Sequence, residues 1–174
     1  FTDFATGVKF ETDYMGKRWS DSEAVIACLH RAIAAGIPFF SGDYLAKATR
    51  KDLENVFAGT IEMPMLDERV TLFNEVGRVL VENYEGRYSN FVNSCAPRLY
   101  AEGDGILERL TSEFPRFRDV SVYNGAEVYI YKLAQLGIWG MHLALSPQKA
   151  WKLEDAHMLT AFADYIVPVG LRVT

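Results

Sequence analysis

The sequence predicts a mostly α-helical fold with one or two small β-hairpins, in a single domain over residues 1–174. Three observations carry that expectation. Apolar side chains recur at the spacing of one helix face through several long stretches. Two β-prone pairs of segments flank turns that contain Met15-Gly16 and Asn124-Gly125, a hairpin signal. The alternation of strand and helix that builds a dinucleotide-binding sheet is missing. A chain of 174 residues, 49% hydrophobic and 24% charged, suits one soluble domain with its own core.

Taken in order, Val8–Thr12 and Lys17–Trp19 flank Asp13-Tyr14-Met15-Gly16 and read as the first hairpin. Ser20 or Asp21 caps a helix to about Ala35, with Val25, Ile26, Leu29, Ala32 and Ile33 as its apolar face. Gly36 stops it and Pro38 follows. Ser41 opens a short helix, and Thr49 caps another through Phe57, ended by Gly59. Asp67–Tyr84 is a long helix whose stripe is Leu72, Phe73, Val76, Val79, Leu80 and Tyr84, closed by Gly86. Ser89–Asn93 reads as a short helical turn and Gly105–Phe114 as a helix closed by Pro115. Val120–Ile130 holds Asn124-Gly125 and reads as the second hairpin, while a helix from about Val128 to Leu145 competes for its end. Ser146-Pro147 breaks that helix. Leu153–Ala163 reads as a last helix, before Pro168.

Charge and composition narrow the function. The net charge is −5 and no basic patch is visible, which argues against a protein that tracks a nucleic-acid backbone. A small nucleotide, held by one or two cations, stays open. Cys28 and Cys95 form no Cys-x-x-Cys pair, and with three histidines no zinc site or other cofactor is indicated. Cys28 lies in an apolar helical run and reads as a buried, reduced thiol. No apolar run reaches the ~18 residues of a membrane span, and no signal peptide is visible, so the expected compartment is the cytoplasm. The chain opens at Phe1 and stops at Thr174 within an apolar run, which reads as an internal piece of a longer protein. GxGxxG, P-loop, GxSxG and HExxH patterns are missing.

Two places carry residues suited to chemistry. On a helix through Tyr131, the residues Tyr131, Lys132, Gln135, Trp139 and His142 share one arc, with Leu133, Leu136 and Leu143 on the other side. Rings, an amide and a cation together can stack on a base, hydrogen-bond it and meet a phosphate. The alternative is plain structure: Lys132 runs to water and the rings are core. The second place is Phe162-Ala163-Asp164-Tyr165. A carboxylate among apolar and aromatic neighbours is costly to desolvate, so Asp164 has either partners or a task. It can equally cap the next turn. His30, His142 and His157 are scattered and read as structural. Glu62, Asp67, Glu68 and Arg69 read as charges suited to a helix start.

Several segments, in order, match a family pattern. Met63-Pro64-Met65-Leu66-Asp67-Glu68-Arg69 resembles an MPLxEER segment and is followed by a long helix, Leu72 to Tyr84. Tyr84-Glu85-Gly86-Arg87-Tyr88 resembles a Tyr/Phe-x-Gly-Ser-Phe step, and Phe114-Pro115-Arg116-Phe117-Arg118-Asp119 resembles FPxxRD. Tyr131-Lys132-Leu133-Ala134-Gln135 resembles YKRAQ. Leu159 through Pro168 resembles LTMFADYRVP, and Phe1 resembles the end of an LNF motif. The ordered set resembles the queuosine salvage protein family over nearly the whole chain.

That resemblance implies a helical fold related in shape to DNA glycosylases. It implies hydrolysis of the N-glycosidic bond of queuosine 5′-monophosphate, releasing queuine and ribose 5-phosphate for salvage into tRNA modification. It implies that Asp164 is the catalytic carboxylate, which suits a bond whose rupture builds positive charge on the sugar. Phe162 and Tyr165 would wall the pocket, Lys132 would meet the phosphate, Gln135 would lie near the base or sugar, and Tyr131 belongs to the same set. The small-molecule substrate is then the expected partner, with no direct nucleic acid, no membrane and no metal. The chain departs from the pattern at Leu133, Gly140, Ile166 and Val169, where charged or polar residues are usual. Those lost polar groups motivate a second expectation, a non-catalytic relative that binds a 7-deazaguanine nucleotide.

Overall fold

The computed structural model describes residues 9–163, 169–170 and 172. The chain divides into two compact units, Phe1–Tyr88 and Ser89–Thr174. Both are mainly helical, and each carries one small antiparallel hairpin.

In the first unit, β1 (Glu11–Tyr14) pairs with β2 (Lys17–Ser20), with Tyr14 opposite Lys17. The turn is two residues long. Met15 and Gly16 both have positive φ, 51° and 73°, the backbone of the tight turn that matches strand twist. The pairing therefore runs on through Asp13 and Tyr14, two residues that the sequence reading placed in the turn. Arg18 grips Asp13 across the hairpin through Nε at 3.0 Å and Nη2 at 2.9 Å.

α1 (Asp21–Ala34) buries Ala24, Ala27, Cys28 and Ala32. Val25 and Leu29 pack at the core's margin, but Ile26 and Ile33 are exposed, against the sequence expectation. The small side chains explain the rotation, because they let the helix lie close against β1 and β2. Cys28 is buried, and desolvation raises its thiol pKa, as expected of an inert thiol. α2 (Gly42–Leu45) and α3 (Arg50–Val56) follow. Thr49 caps α3 reciprocally: its N–H donates to Asp52 Oδ2 at 2.8 Å, and its hydroxyl accepts from the Asp52 N–H.

α4 (Leu66–Tyr84) is the long helix expected from the sequence. It seats on α2 through Gly77, where a Cβ would fall 2.2 Å from the Ala46 nitrogen and 2.6 Å from the Leu45 carbonyl carbon. Asn74 secures the same contact by donating from Nδ2 to the carbonyls of Leu45 (2.8 Å) and Ala48 (3.0 Å). Glu85 and Gly86 close the helix with positive φ, and the Gly86 N–H donates to Leu80 O at 2.9 Å. The core holds Phe10, Leu45, Leu53, Phe57 and Met63, with Phe39 edge-on to Phe73 at 5.1 Å.

The second unit holds α5 (Tyr88–Ser94), α6 (Ile106–Glu113) and a 3-10 turn at Pro115–Phe117. Next come β3 (Val120–Tyr123) and β4 (Ala126–Tyr129), paired with Val120 opposite Tyr129. Asn124 and Gly125 again both take positive φ. The hairpin therefore keeps the residues contested by a helix, and α7 (Lys132–Leu145) begins only after it. The helix expected over Leu153–Ala163 does not form. A single 3-10 turn, Ala156–Met158, stands there, and Leu159 is already extended at φ −62° and ψ 138°. Distant groups claim the backbone. The N–H of Leu153 donates to His142 Nδ1, that of Glu154 to Pro97 O, and that of Thr160 to the Gln135 side chain. A buried N–H satisfied this way has no need of a helical partner.

Candidate functional site

The second unit carries the residues singled out for substrate. Its scaffold begins at Glu108, the third residue of α6. One carboxylate oxygen, Oε2, accepts three backbone N–H groups: Ala101 at 2.8 Å, Gly103 at 3.0 Å and Gly105 at 3.0 Å. Partial burial works to raise this carboxyl's pKa, but the three N–H bonds outweigh it and hold the value below the ordinary range. The loop so fixed presents Leu99, whose N–H donates to Asp155 Oδ1 at 2.8 Å. Asp155 is 5% exposed and Leu99 is fully buried, so this bond ties the segment after α7 to the loop before α6. The Glu154 N–H to Pro97 O bond, 2.8 Å, lies beside it.

α7 carries the next of these residues. Tyr131 is not part of its helical arc. It is the N-cap, at φ 48° and ψ 29°, a left-handed backbone that an aromatic residue rarely adopts. Its N–H and that of Ile130 both donate to Asp119 O, at 3.3 and 2.9 Å. Its ring lies 5.6 Å from that of Tyr129. Lys132 is the first helical residue and is half-buried. About two and three turns on, Trp139 stacks on His142 with centroids 5.0 Å apart, and His142 Nδ1 accepts the Leu153 N–H at 3.1 Å. His142 is thus structural, as expected.

The helix is turned differently from the sequence expectation. Ala134, Gln135 and Ile138 are its buried residues, whereas Leu133 is 39% and Leu143 55% exposed. Gln135, a polar residue, is only 5% exposed because its amide is fully engaged. Nε2 donates to Ile130 O at 3.2 Å, and Oε1 accepts the Thr160 N–H at 3.0 Å. The Thr160 hydroxyl completes the set, 3.0 Å from Nε2 and 3.1 Å from Oε1. The start of α7 is thereby joined to the extended segment that leads to Phe162, which is half-buried.

Of the residues chosen from sequence, Lys132 and Gln135 stand one turn apart on α7, with Tyr131 just before them, and Gln135 bonds the stretch before Phe162. Asp164 and Tyr165 lie outside the described residues, as do Ile166 and Pro168. Three supporting residues escaped the sequence reading. Glu108 had a legible signal, an acid three positions after the Gly105 N-cap. Asp155 and Thr160 had none, since their partners lie 56 and 25 residues away. Tyr100 is a further one: burial first, then its charged neighbours Glu108 and Asp155, push its hydroxyl pKa up.

Around the start of α4 the charges pair with one another and with the backbone. Arg50 holds Glu54, Glu62 and Asp67 together at the start of α4, and Arg69 Nε donates to Pro64 O at 2.9 Å. Among the described residues, no group of three or more His, Cys, Asp or Glu is placed to hold a metal ion. Among them, too, no helix is long and apolar enough to cross a membrane.

Comparison with known proteins gives a consistent result. The family model described as "Queuosine salvage protein" matches residues 1–174. A Sphaerobacter thermophilus protein named queuosine 5′-phosphate N-glycosylase/hydrolase is 36% identical over 164 residues, covering 94% of this chain and 50% of that protein. Its namesake in Schizosaccharomyces pombe is 33% identical over 165 residues, 92% of this chain and 46% of that one. The Bos taurus protein of the same name is 28% identical over 162 residues, 92% and 46%. The chain spans about half the length of the curated relatives it matches.

Proposed function

The chain belongs to the queuosine salvage protein family, and we propose that the protein carrying it hydrolyses the N-glycosidic bond of queuosine 5′-phosphate. The products are queuine and ribose 5-phosphate. The observation that carries this reading is the whole-length family match together with relatives that bear that activity in their names. The protein acts in the cytoplasm on a small molecule, without direct contact to nucleic acid, and its fold is related in shape to that of DNA glycosylases. Residues 1–174 form part of one such domain.

Asp164 is the catalytic carboxylate. Rupture of the bond leaves the sugar oxocarbenium-like, and a fixed carboxylate beside the anomeric carbon stabilises that charge or attacks it. Phe162 and Tyr165 wall the pocket and hold the base by stacking. Lys132 takes the 5′-phosphate. Its place in the first turn of α7 supports this, because the positive end of the helix dipole favours an anion there. Tyr131 borders the same region, and Gln135, expected near the base or sugar, acts there through its bonds to Thr160.

The test is to incubate the full-length protein with queuosine 5′-monophosphate and to assay free queuine by mass spectrometry. Release of queuine supports the reading. A clear thermal shift from the nucleotide without release would instead favour a non-catalytic binding relative, a reading motivated by the uncharged residues at Leu133 and Gly140.

A further inference from the structure

We propose that Gln135 is a positioning residue for the glycosylase reaction: its buried side-chain amide clamps Thr160 and so fixes the extended segment that leads to Phe162, just ahead of Asp164 in the chain. This rests on the N-glycosylase reading above.

The geometry leaves the amide one orientation. The acceptor that meets the Thr160 N–H must be Oε1, at 3.0 Å, and the donor that meets Ile130 O must be Nε2, at 3.2 Å. Both backbone partners are themselves fixed in role, so a flipped amide would set donor against donor and acceptor against acceptor. The Ile130 end is anchored in turn, because the Ile130 N–H donates to Asp119 O at 2.9 Å. Gln135 thus ties a rigid point, the junction of β4 and α7, to an extended segment. That segment has only one 3-10 turn of its own, Ala156–Met158.

The placement matters because Thr160 stands four residues before Asp164 in the chain and two before Phe162. Catalytic groups often stand on loops, where a rigid scaffold must position them. Among the described residues Leu159–Ala163 lie in no helix or strand. Side-chain hydrogen bonds between Thr160 and Gln135 hold this stretch to α7. With both amide ends engaged and only 5% exposure, Gln135 serves the reaction through Thr160 and not by touching substrate.

The experiment uses the full-length protein and four variants: Gln135→Ala, Thr160→Val, Thr160→Ser and the double Gln135→Ala/Thr160→Val. Queuine release gives kcat and KM, and hydrogen exchange reports the Thr160 amide. Gln135→Ala is expected to lower kcat by roughly 10- to 100-fold, the scale of a misplaced reacting group, with KM held within about threefold. Thr160→Val keeps the backbone N–H to Oε1 and loses less, while Thr160→Ser restores the hydroxyl and stays near wild type. The double variant falls no further than Gln135→Ala, since both changes break one linkage. Exchange at the Thr160 amide accelerates in Gln135→Ala.

Unchanged kcat in Gln135→Ala, a rise in KM alone, or multiplied losses in the double variant would each overturn the proposal. Should Gln135→Ala fail to fold, Thr160→Val and Thr160→Ser carry the kcat comparison by themselves. If wild type releases no queuine, the glycosylase reading fails and takes the catalytic half of this proposal with it. Unaltered Thr160 exchange in Gln135→Ala with normal wild-type turnover overturns the clamp and leaves the glycosylase reading standing.

Discussion

Asp155→Ala tests the scaffold under the candidate site most sharply. The Asp155 side chain is buried, and its Oδ1 lies 2.8 Å from the N–H of Leu99, which is fully buried. Truncation removes the acceptor and leaves that N–H without one in a place water does not reach. A hydrogen bond to a charged group contributes about 1.5–3 kcal/mol, and a stranded buried donor costs about 1–3 kcal/mol. These describe one event from two sides, so they do not add, and the expected loss is about 2–3 kcal/mol. For a chain of this size that corresponds to a fall in Tm of roughly 5–10 °C. Asp155→Asn keeps an oxygen of the same shape at the same place and is expected to cost less than about 1 kcal/mol. Urea denaturation followed by circular dichroism measures both, and hydrogen exchange reports the Leu99 amide directly. A loss under about 0.5 kcal/mol for Asp155→Ala, or an Asn variant as damaged as the Ala variant, would refute the reasoning.

Two further perturbations probe other joints. Gly77→Ala places a methyl 2.2 Å from the Ala46 nitrogen, a backbone atom that cannot swing aside, so α2 and α4 must part. The expected destabilisation is about 2–3 kcal/mol or more by thermal melting, although alanine is the better helix former by about 1 kcal/mol; a neutral or stabilised variant would contradict the packing. Glu108→Gln tests the staple of three N–H groups. Because the folded carboxyl is held below its ordinary value, its stabilisation is complete above the unfolded value of about 4.3 and is lost as pH falls through the folded one. The Gln variant should therefore be about 1 kcal/mol less stable at pH 7 and should converge with wild type as pH drops below about 4. A gap that stays constant across that range would remove the charge from the explanation.

What the sequence made legible was local. Met15-Gly16 and Asn124-Gly125 announced both hairpins because two positive φ values in succession need few residue types. The α4 stripe from Leu72 to Tyr84 announced the longest helix, and Thr49 announced the cap of α3. The misreadings share a cause. Hydropathy favoured Ile26 and Ile33 beside Ala32 as the core face of α1, but close packing kept Ala32 and chose Ala24, Ala27 and Cys28. The apolar run after Leu153 has helical spacing, yet its N–H groups go to His142, Pro97 and Gln135, and no local pattern encodes those partners.

The candidate site was legible in a different way. Physical reading of single residues left Lys132 and Asp164 each with a structural alternative. It was the ordered series of motifs, from Met63-Pro64 to the segment around Phe162, that pointed to the family, and the match over residues 1–174 agrees. The role of Gln135 was visible from neither. Its spacing put it on a polar arc, whereas the fold buries it and uses its amide to hold Thr160.

Asp164 is the proposed carboxylate of N-glycosidic hydrolysis, and single-turnover queuine release by wild type and Asp164→Asn tests that role directly. Asparagine preserves the shape and removes the charge proposed to stabilise the oxocarbenium-like sugar. The expected result is queuine from wild type and a loss of roughly a thousandfold or more in the variant, with the nucleotide still raising the variant's Tm. Queuine released by Asp164→Asn at the wild-type rate would contradict the account.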